Sequence, residues 1–527
     1  MVRIFRLAAL LPITSALLLS NDAPPAKRVA IIGAGAAGSS AAYHLSLYAT
    51  EASIPVNISV FERNSYIGGR TTTVNVWDDP TFPVELGGSI FVEVNHIMVE
   101  ATERFRLKPA SMGDVEVEGV ALPELGVWNG EEFVLVTTKE DGWWDKAKLL
   151  WRYGAAPLWT NRLMKSAVGK FLTMYEEPVF PWKSLSEVVE KVGLLEATGV
   201  TGEQYLKANG IGEAFAREVI QASTRVNYAS NLGYIHGLET MVCMATNGAM
   251  AIEGGNWQIF ANMLNASRAS IHLNTPVSNI AKQSDNTYQV TLKNGESSTF
   301  DEVILASPLQ YSDLVIDPAP KHVPDEIPYM KLHVTLFATP HLLDPAAFRL
   351  AVGSTVPQFV LTTLRPNEAP DDNAGSPGFY SISVHNSGIN HHSDPPRLEY
   401  IYKIFSPSRI TPDFLSHIIG RPVSAHEAEK GDRNGTISWI KHKIWHSYPR
   451  EYPRVTFEEI ALDEGLWYTS GIESFISTME TSALSGRNVA RLVRDAWVDA
   501  KQAQEGKVGV PEVFEDGVGA ELWQEEL

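Results

Sequence analysis

Hydrophobic positions divide this chain into blocks of different period. An apolar run from Leu7 to Leu19 follows Arg3 and Arg6 and is followed by small or polar residues, Ser20 to Ala23. That order predicts a secretory leader over residues 1–23, short for a bilayer span and interrupted by Pro12. Past Pro24 and Pro25, Val29-Ala30-Ile31-Ile32 is a continuous apolar run, expected to be a parallel strand buried on both faces. Small residues from Ser39 to Tyr48 predict a closely packed helix, and Asn57 to Phe61 a second strand. Farther on, Val277 to Ile280, the alternation through Tyr288-Gln289-Val290, and Val303 to Ala306 predict a strand, a hairpin and a returning strand. Between Asp141 and Tyr175, Trp143, Trp144, Trp151, Tyr153, Trp159, Phe171 and Tyr175 recur at helical spacing. Such helices either pack on the sheet domain or wall an apolar tunnel. Turn residues in Leu364 to Pro377 and in Asn390 to Pro396 predict exposed loops.

The first strand ends in Gly33-Ala34-Gly35-Ala36-Ala37-Gly38. Gly33 permits the tight turn, Gly35 lets backbone approach a pyrophosphate, and Gly38 lets helix and strand pack closely, with the helix N-terminus toward the phosphates. Alone, this glycine spacing is weak. Here a strand precedes it, a helix follows, and the second strand ends in Glu62, 24 residues beyond Gly38 and suited to a ribose hydroxyl. An acid at that place disfavours a 2′-phosphate, and so NADP. Two glycine pairs come next, Gly68-Gly69 before Arg70 and Gly87-Gly88 before Ser89. They suggest backbone running close to an extended ligand, with Arg70 near a diphosphate and Gly87-Gly88 beside a planar ring.

Bulk numbers narrow the rest. The 527 residues suggest several domain-sized units, and 44% hydrophobic with 20% charged residues is an ordinary globular balance. A net charge of −19 argues against nucleic acid and anionic membrane partners, although part of it sits in the acidic tail 501–527. Cys243 is the only cysteine, so neither an intrachain disulfide nor a Cys-based metal site is possible, and between two apolar neighbours it is expected to be buried. His391-His392 and His442/His446 lack supporting acids, so no metal site is expected. Sequons at Asn57, Asn265 and Asn434 suit the secretory route, the latter two better than Asn57 at its strand start.

The fingerprint and paired glycines resemble the glutathione-reductase-type FAD proteins, in particular the amine-oxidase-like branch. That resemblance implies an adenine contact at the Val277 backbone. It also implies a closing segment in which Gly471 to Glu473 faces the ribitol and the helix opening at Met479-Glu480 faces the flavin ring. Narrower words resemble the prenylcysteine oxidases: Leu150-Trp151-Arg152-Tyr153-Gly154, Arg225-Val226-Asn227-Tyr228, Ala251 to Asn256, Lys403-Ile404-Phe405-Ser406 and Trp445-His446-Ser447-Tyr448-Pro449. The resemblance implies a leader-bearing, glycosylated lysosomal, vacuolar or extracellular oxidase with non-covalent FAD. It would cleave farnesyl- or geranylgeranyl-cysteine with O2 and water to cysteine, prenyl aldehyde and H2O2, by hydride transfer from the allylic C1 to flavin N5. No base is assigned; Glu253 and His446 are weak candidates because they lie in these words. The implied fold is α/β: a Rossmann-type FAD-binding domain from 27–110, 245–310 and 455–500, with 111–244 and 311–454 forming an inserted mixed α+β substrate domain. Two other readings stay open: an oxidase for another prenylated or terpenoid substrate, and a non-catalytic prenyl carrier resembling the Rab escort proteins. No obligate protein partner and no membrane span beyond the leader are expected.

Overall fold

A computed structural model of the chain describes residues 25–111, 122–137, 149–366, 368 and 372–508. The expected leader, the acidic tail beyond 508, and Trp143 and Trp144 lie outside the described residues. The first strand, Lys27–Ile32, lies inside a six-stranded sheet ordered Ala461–Asp463, Leu466–Tyr468, Glu302–Leu305, Lys27–Ile32, Val56–Phe61, Ser270–His272. All neighbours run parallel except the first pair. Both faces are buried, as a continuous apolar run requires. Val29 and Ile31 join one core cluster, while Ala30 and Ile32 join another with Val303 and Leu466.

The helix Ala36–Glu51 is small-sided because a second helix crosses it closely. Against Met479–Val508, a Cβ on Gly486 would lie 2.1 Å from Ala37 O, and Ser40 Oγ donates to Ala483 O at 2.6 Å. On the opposite side of the chain's path, Val277–Lys282, Tyr288–Leu292 and Ser297–Phe300 form an antiparallel meander. Glu302–Leu305 then returns to the parallel sheet, as the alternation predicts.

A third sheet carries seven strands, in the order Trp439–Pro449, Tyr329–Thr339, Arg397–Ser406, Ser381–Asn390, Phe359–Thr362, Leu125–Trp128, Phe133–Thr137. One face is closed by a core of Phe337, Ile382, Val384, Tyr402 and Ile404 beneath the helices Pro412–Ile419 and Ala425–Lys430. Its other face, reached by the alternate residues of each strand, is left for a cavity. Helices Ala156–Leu172, Leu185–Lys191, Gly202–Ala208, Gln221–Tyr228 and Gly237–Val242 complete the insertion. Among the described residues, no helix is long and apolar enough to cross a membrane.

Candidate active site

One cavity of about 1070 Å³ runs from the glycine-rich turn to the open face of the seven-stranded sheet. At the first end its wall includes Gly33, Gly35, Ala36, Ala37, Glu62, Gly69 and Arg70, with Val277 and Ala306 nearby. Gly33 has a φ of +116°, and a Cβ there would meet Ala306 O at 2.8 Å. Gly38 does not line the cavity: its Cβ would fall 1.9 Å from Gly33 O, so it is the packing glycine that the spacing predicts. The helix at Ala36 begins without a side-chain cap and without an acid in its first turn, which leaves its N-terminal amides for an anion. Glu62 accepts from Ala34 N–H at 3.0 Å on Oε2, and from Asn64 N–H and Nδ2 at 2.8 and 2.6 Å on Oε1. A carboxylate has about four acceptor positions, so one remains for a hydroxyl.

The middle of the cavity is built from both glycine pairs and the C-terminal segment. Gly87, Gly88, Ser89, Thr469, Ser470, Glu473, Thr478, Met479 and Ser482 line it. A Cβ on Gly87 would meet the backbone Arg70 O at 1.8 Å, so that position accepts no side chain, and on Gly88 it would meet Met479 Sδ at 2.9 Å, so the Met479 side chain would have to move. Arg70 Nη2 pairs with Glu473 at 2.7 Å, and Nη1 donates to Ser447 O at 2.7 Å. These surfaces fit an extended dinucleotide with a planar ring, as FAD is, better than a short nucleotide.

The far end is apolar. Leu125 and Val127, Leu332 and Val334, Phe359 and Leu361 each present alternate residues of one strand to the cavity. Two of the polar groups there are bases, Lys403 buried and His385 half-buried. Lys403 Nζ donates to Ser89 Oγ at 2.8 Å and to Glu85 O at 2.9 Å. Burial pushes Lys403 down and Glu85 up from their usual values, each offset in part by the other's charge. His385 is pushed down to about 3 by burial and is therefore neutral.

Several expected residues fall elsewhere. Glu253 is exposed and pairs with Lys108 Nζ at 2.6 Å, outside the cavity; it is a surface ion pair and not a base. Glu480 is buried, but its carboxylate accepts from Ile97 and Met98 N–H at 2.9 and 3.0 Å and from Tyr175 Oη at 2.8 Å. It caps the helix His96–Arg104 and has no face on the cavity. Gly471 is also absent from the wall, because it packs on Glu458. His446 does line the cavity, stacked on Tyr311 at 4.3 Å between ring centroids. Among the described residues, the aromatic segment contributes no side chain to the cavity wall. Trp151 is 90% exposed and Trp159 52%, while Phe171 and Tyr175 fill the core of the helical layer. Lys403 and His385 are not marked by any spacing in the sequence, although Lys403 and its neighbours form one of the quoted words. A charge set between Tyr402 and Ile404, in the buried second half of the strand Arg397–Ser406, is the available signal.

A family model described as prenylcysteine lyase matches residues 136–506, and one described as an NAD(P)-binding Rossmann-like domain matches 31–101. The chain belongs to the prenylcysteine lyase family. Farnesylcysteine lyase of Arabidopsis thaliana is 29% identical, over 90% of this chain and 89% of its own length. Prenylcysteine oxidase 1 of Homo sapiens is 27% identical, over 90% of each chain. Among solved structures, cyclohexylamine oxidase from Brevibacterium oxydans superposes with a TM-score of 0.54 at 16% identity, covering 90% of this chain and all of its own. The expected fold is therefore found: a Rossmann-type dinucleotide domain of the amine-oxidase kind, joined to a mixed α+β part. In this member of the family, the paired glycines and the apolar sheet face belong to one cavity.

Proposed function

We propose that this chain is an FAD-dependent thioether oxidase that cleaves farnesyl- or geranylgeranyl-cysteine. The observation that carries the reading is the continuity of one cavity, from a dinucleotide cradle to an apolar wall long on β-sheet side chains. The names of the relatives point to the same substrate class. Bound FAD would supply the two-electron acceptor for the allylic C–H beside sulfur, with O2 as final oxidant and H2O2 as product.

In this reading the chain's own residues position and desolvate. The uncapped helix at Ala36 would hold the diphosphate, Glu62 a ribose hydroxyl and the Val277 backbone the adenine. FAD would be held non-covalently, since Cys243 is a buried thiol that burial pushes well above its usual range. The sheet face would take the prenyl chain, each buried CH2 contributing about 0.8 kcal/mol. Loss of hydride from the substrate leaves a cation on carbon that sulfur and the double bond stabilise, so no strong base is needed for that step. A water then adds, and the adduct collapses to aldehyde and thiol.

The three sequon asparagines, Asn57, Asn265 and Asn434, are all exposed. With the leader-like N-terminus, that supports a glycosylated protein of the secretory route, in a lysosome, vacuole or outside the cell. Product analysis in 18O water tests the chemistry: cysteine, prenyl aldehyde and H2O2 in equal amounts, with 18O in the aldehyde. A prenyl alcohol formed without peroxide would overturn it.

A further inference from the structure

Behind the cavity wall lies a second polar cluster that the cofactor cradle does not use. His236, Glu239 and Glu451 are all fully buried, or within 1% of it, and one ligating atom of each lies within 4.8 Å of the others. No well-formed hydrogen bond reaches His236 Nε2 or the four carboxylate oxygens, although Tyr228 and the Ser477 backbone stand beside Glu239 and the Phe475 backbone beside His236. Five such atoms in one place are costly unless protons are shared among them.

A metal ion would satisfy them, but the histidine is wrongly set for it. His236 caps the helix Gly237–Val242, and its Nδ1 accepts from Glu239 N–H at 3.0 Å. The neutral ring must then carry its proton on Nε2, the atom that faces Glu451 at 3.6 Å, and has no lone pair there for a cation. Burial pushes His236 down to about 3, so it is a neutral donor. Burial likewise raises Glu239 and Glu451; the Glu239 charge raises Glu451 further, while hydrogen bonding from Tyr228 and from the Ser477 backbone offsets part of the rise at Glu239. Like charges this close in a dry site cannot both ionise with ease.

Tyr228 connects the cluster to the cavity. It lines the cavity, its hydroxyl donates to Ser477 O at 3.1 Å, and it faces Glu239. Tyr448 stands edge-on to it at 5.1 Å and lines the same wall. The other titratable groups facing the cluster are Cys243, Arg454 and Glu473.

We propose that His236, Glu239 and Glu451 form a proton store that serves the water-addition and C–S cleavage steps through the Tyr228 hydroxyl. This rests on the thioether-oxidase reading. Glu451 keeps the pair's first proton and Glu239 stands ionised; water oxygen bonds to the cationic carbon, and one water proton passes to Tyr228 as Tyr228 gives its own to Glu239. The C–S bond then breaks: the hydroxyl proton of the adduct enters the relay, and sulfur leaves as a thiol with a proton from it. One proton stays on the cluster, and it is the one that O2 needs, with the hydride, to become H2O2. Tyr228 is the group at the reacting atoms; Glu239 and Glu451 are positioning residues that act through it.

The test uses the full-length FAD-bound protein, with Glu239→Gln, Glu451→Gln and Tyr228→Phe. Anaerobic mixing with farnesylcysteine should bleach flavin in Tyr228→Phe and Glu239→Gln within about twofold of the parent rate, while cysteine release slows by at least about tenfold. Infrared pH titration should show a buried protonated-carboxyl band that is shifted in Glu239→Gln, lost or moved to Glu239 in Glu451→Gln, and kept in Tyr228→Phe, which leaves the carboxyls in place. The pH profile of cysteine release should flatten in Glu239→Gln. Unchanged cysteine release with an unchanged carboxyl band would overturn the store. If farnesylcysteine fails to bleach the parent protein, the substrate reading fails instead, and the infrared band alone then decides whether the cluster holds protons.

Discussion

Arg70 Nη2 and a carboxylate oxygen of Glu473 lie 2.7 Å apart, joining the loop after the first glycine pair to the closing C-terminal segment. Tyr329 Oη also donates to Glu473, at 3.1 Å, and Arg70 holds Ser447 O. Four stretches separated in sequence, around Arg70, Tyr329, Ser447 and Glu473, are thereby pinned at the cavity's centre.

Removing Arg70 would leave Glu473, 4% exposed, as an unpaired buried charge. Arg70→Ala should cost about 2 kcal/mol and show as a lower apoprotein melting temperature. Glu473→Gln should cost less, and the double variant should lie well short of the sum, as coupled partners do. Additive losses would mean that the pair is incidental.

Gly35 and Gly38 separate ligand approach from packing. A Cβ on Gly35 has no protein atom nearer than 3.9 Å, whereas on Gly38 it would lie 1.9 Å from Gly33 O. Gly35→Ala should therefore keep the apoprotein's melting temperature and weaken FAD binding by about tenfold or more, measured by flavin fluorescence on titration. Gly38→Ala should lose both stability and flavin. Equal effects from the two would contradict the assignment.

The Lys403 ammonium bonds the Ser89 hydroxyl beside Gly87-Gly88. Lys403→Met removes charge-assisted hydrogen bonds of about 1.5–3 kcal/mol, so kcat/KM should fall by about ten- to a hundredfold. Bound flavin should be retained, because no part of the phosphate or ribose cradle involves Lys403. A colourless variant would move Lys403 from the substrate end to the cofactor end.

Stability should peak on the acid side of neutrality. Burial raises Glu480 to about 7 and raises Glu85, Glu239 and Glu451 as well. A carboxyl raised by folding contributes stability fully below its unfolded value, near 4.5, and loses it as pH rises through the folded value. His44, lowered to about 4, and His236 and His385, lowered to about 3, act oppositely. Their contribution is complete above about 6.5 and lost as pH falls toward 4 and 3. The melting temperature should thus be highest between about pH 5 and 6.5 and several degrees lower at pH 8, by scanning fluorimetry. A flat or rising profile from 6.5 to 8 would contradict the burial of these carboxyls. Glu480→Gln should flatten that limb.

The cofactor half of the molecule was legible because its constraints are local. Gly33, Gly35, Gly38 and Glu62 sit at spacings dictated by one turn and one ribose, and Val29 to Ile32 had to be buried on both faces. The substrate half was not, because its wall is assembled from alternate residues of distant strands. Nothing local marks Leu125, Leu332 and Phe359 as neighbours across one face. Trp151 and Trp159 misled for the same reason: helical spacing predicts a face but not which way it turns. Glu480 misled differently. Its place beside Met479 suggested the flavin, but the unsatisfied amides of Ile97 and Met98 claim its carboxylate.

Anaerobic titration of the FAD-loaded protein with farnesylcysteine tests the central claim most directly. The account predicts bleaching of the flavin absorbance at one equivalent, and one equivalent of H2O2 with return of the colour when air is admitted. A yellow protein that no prenylcysteine bleaches would contradict it.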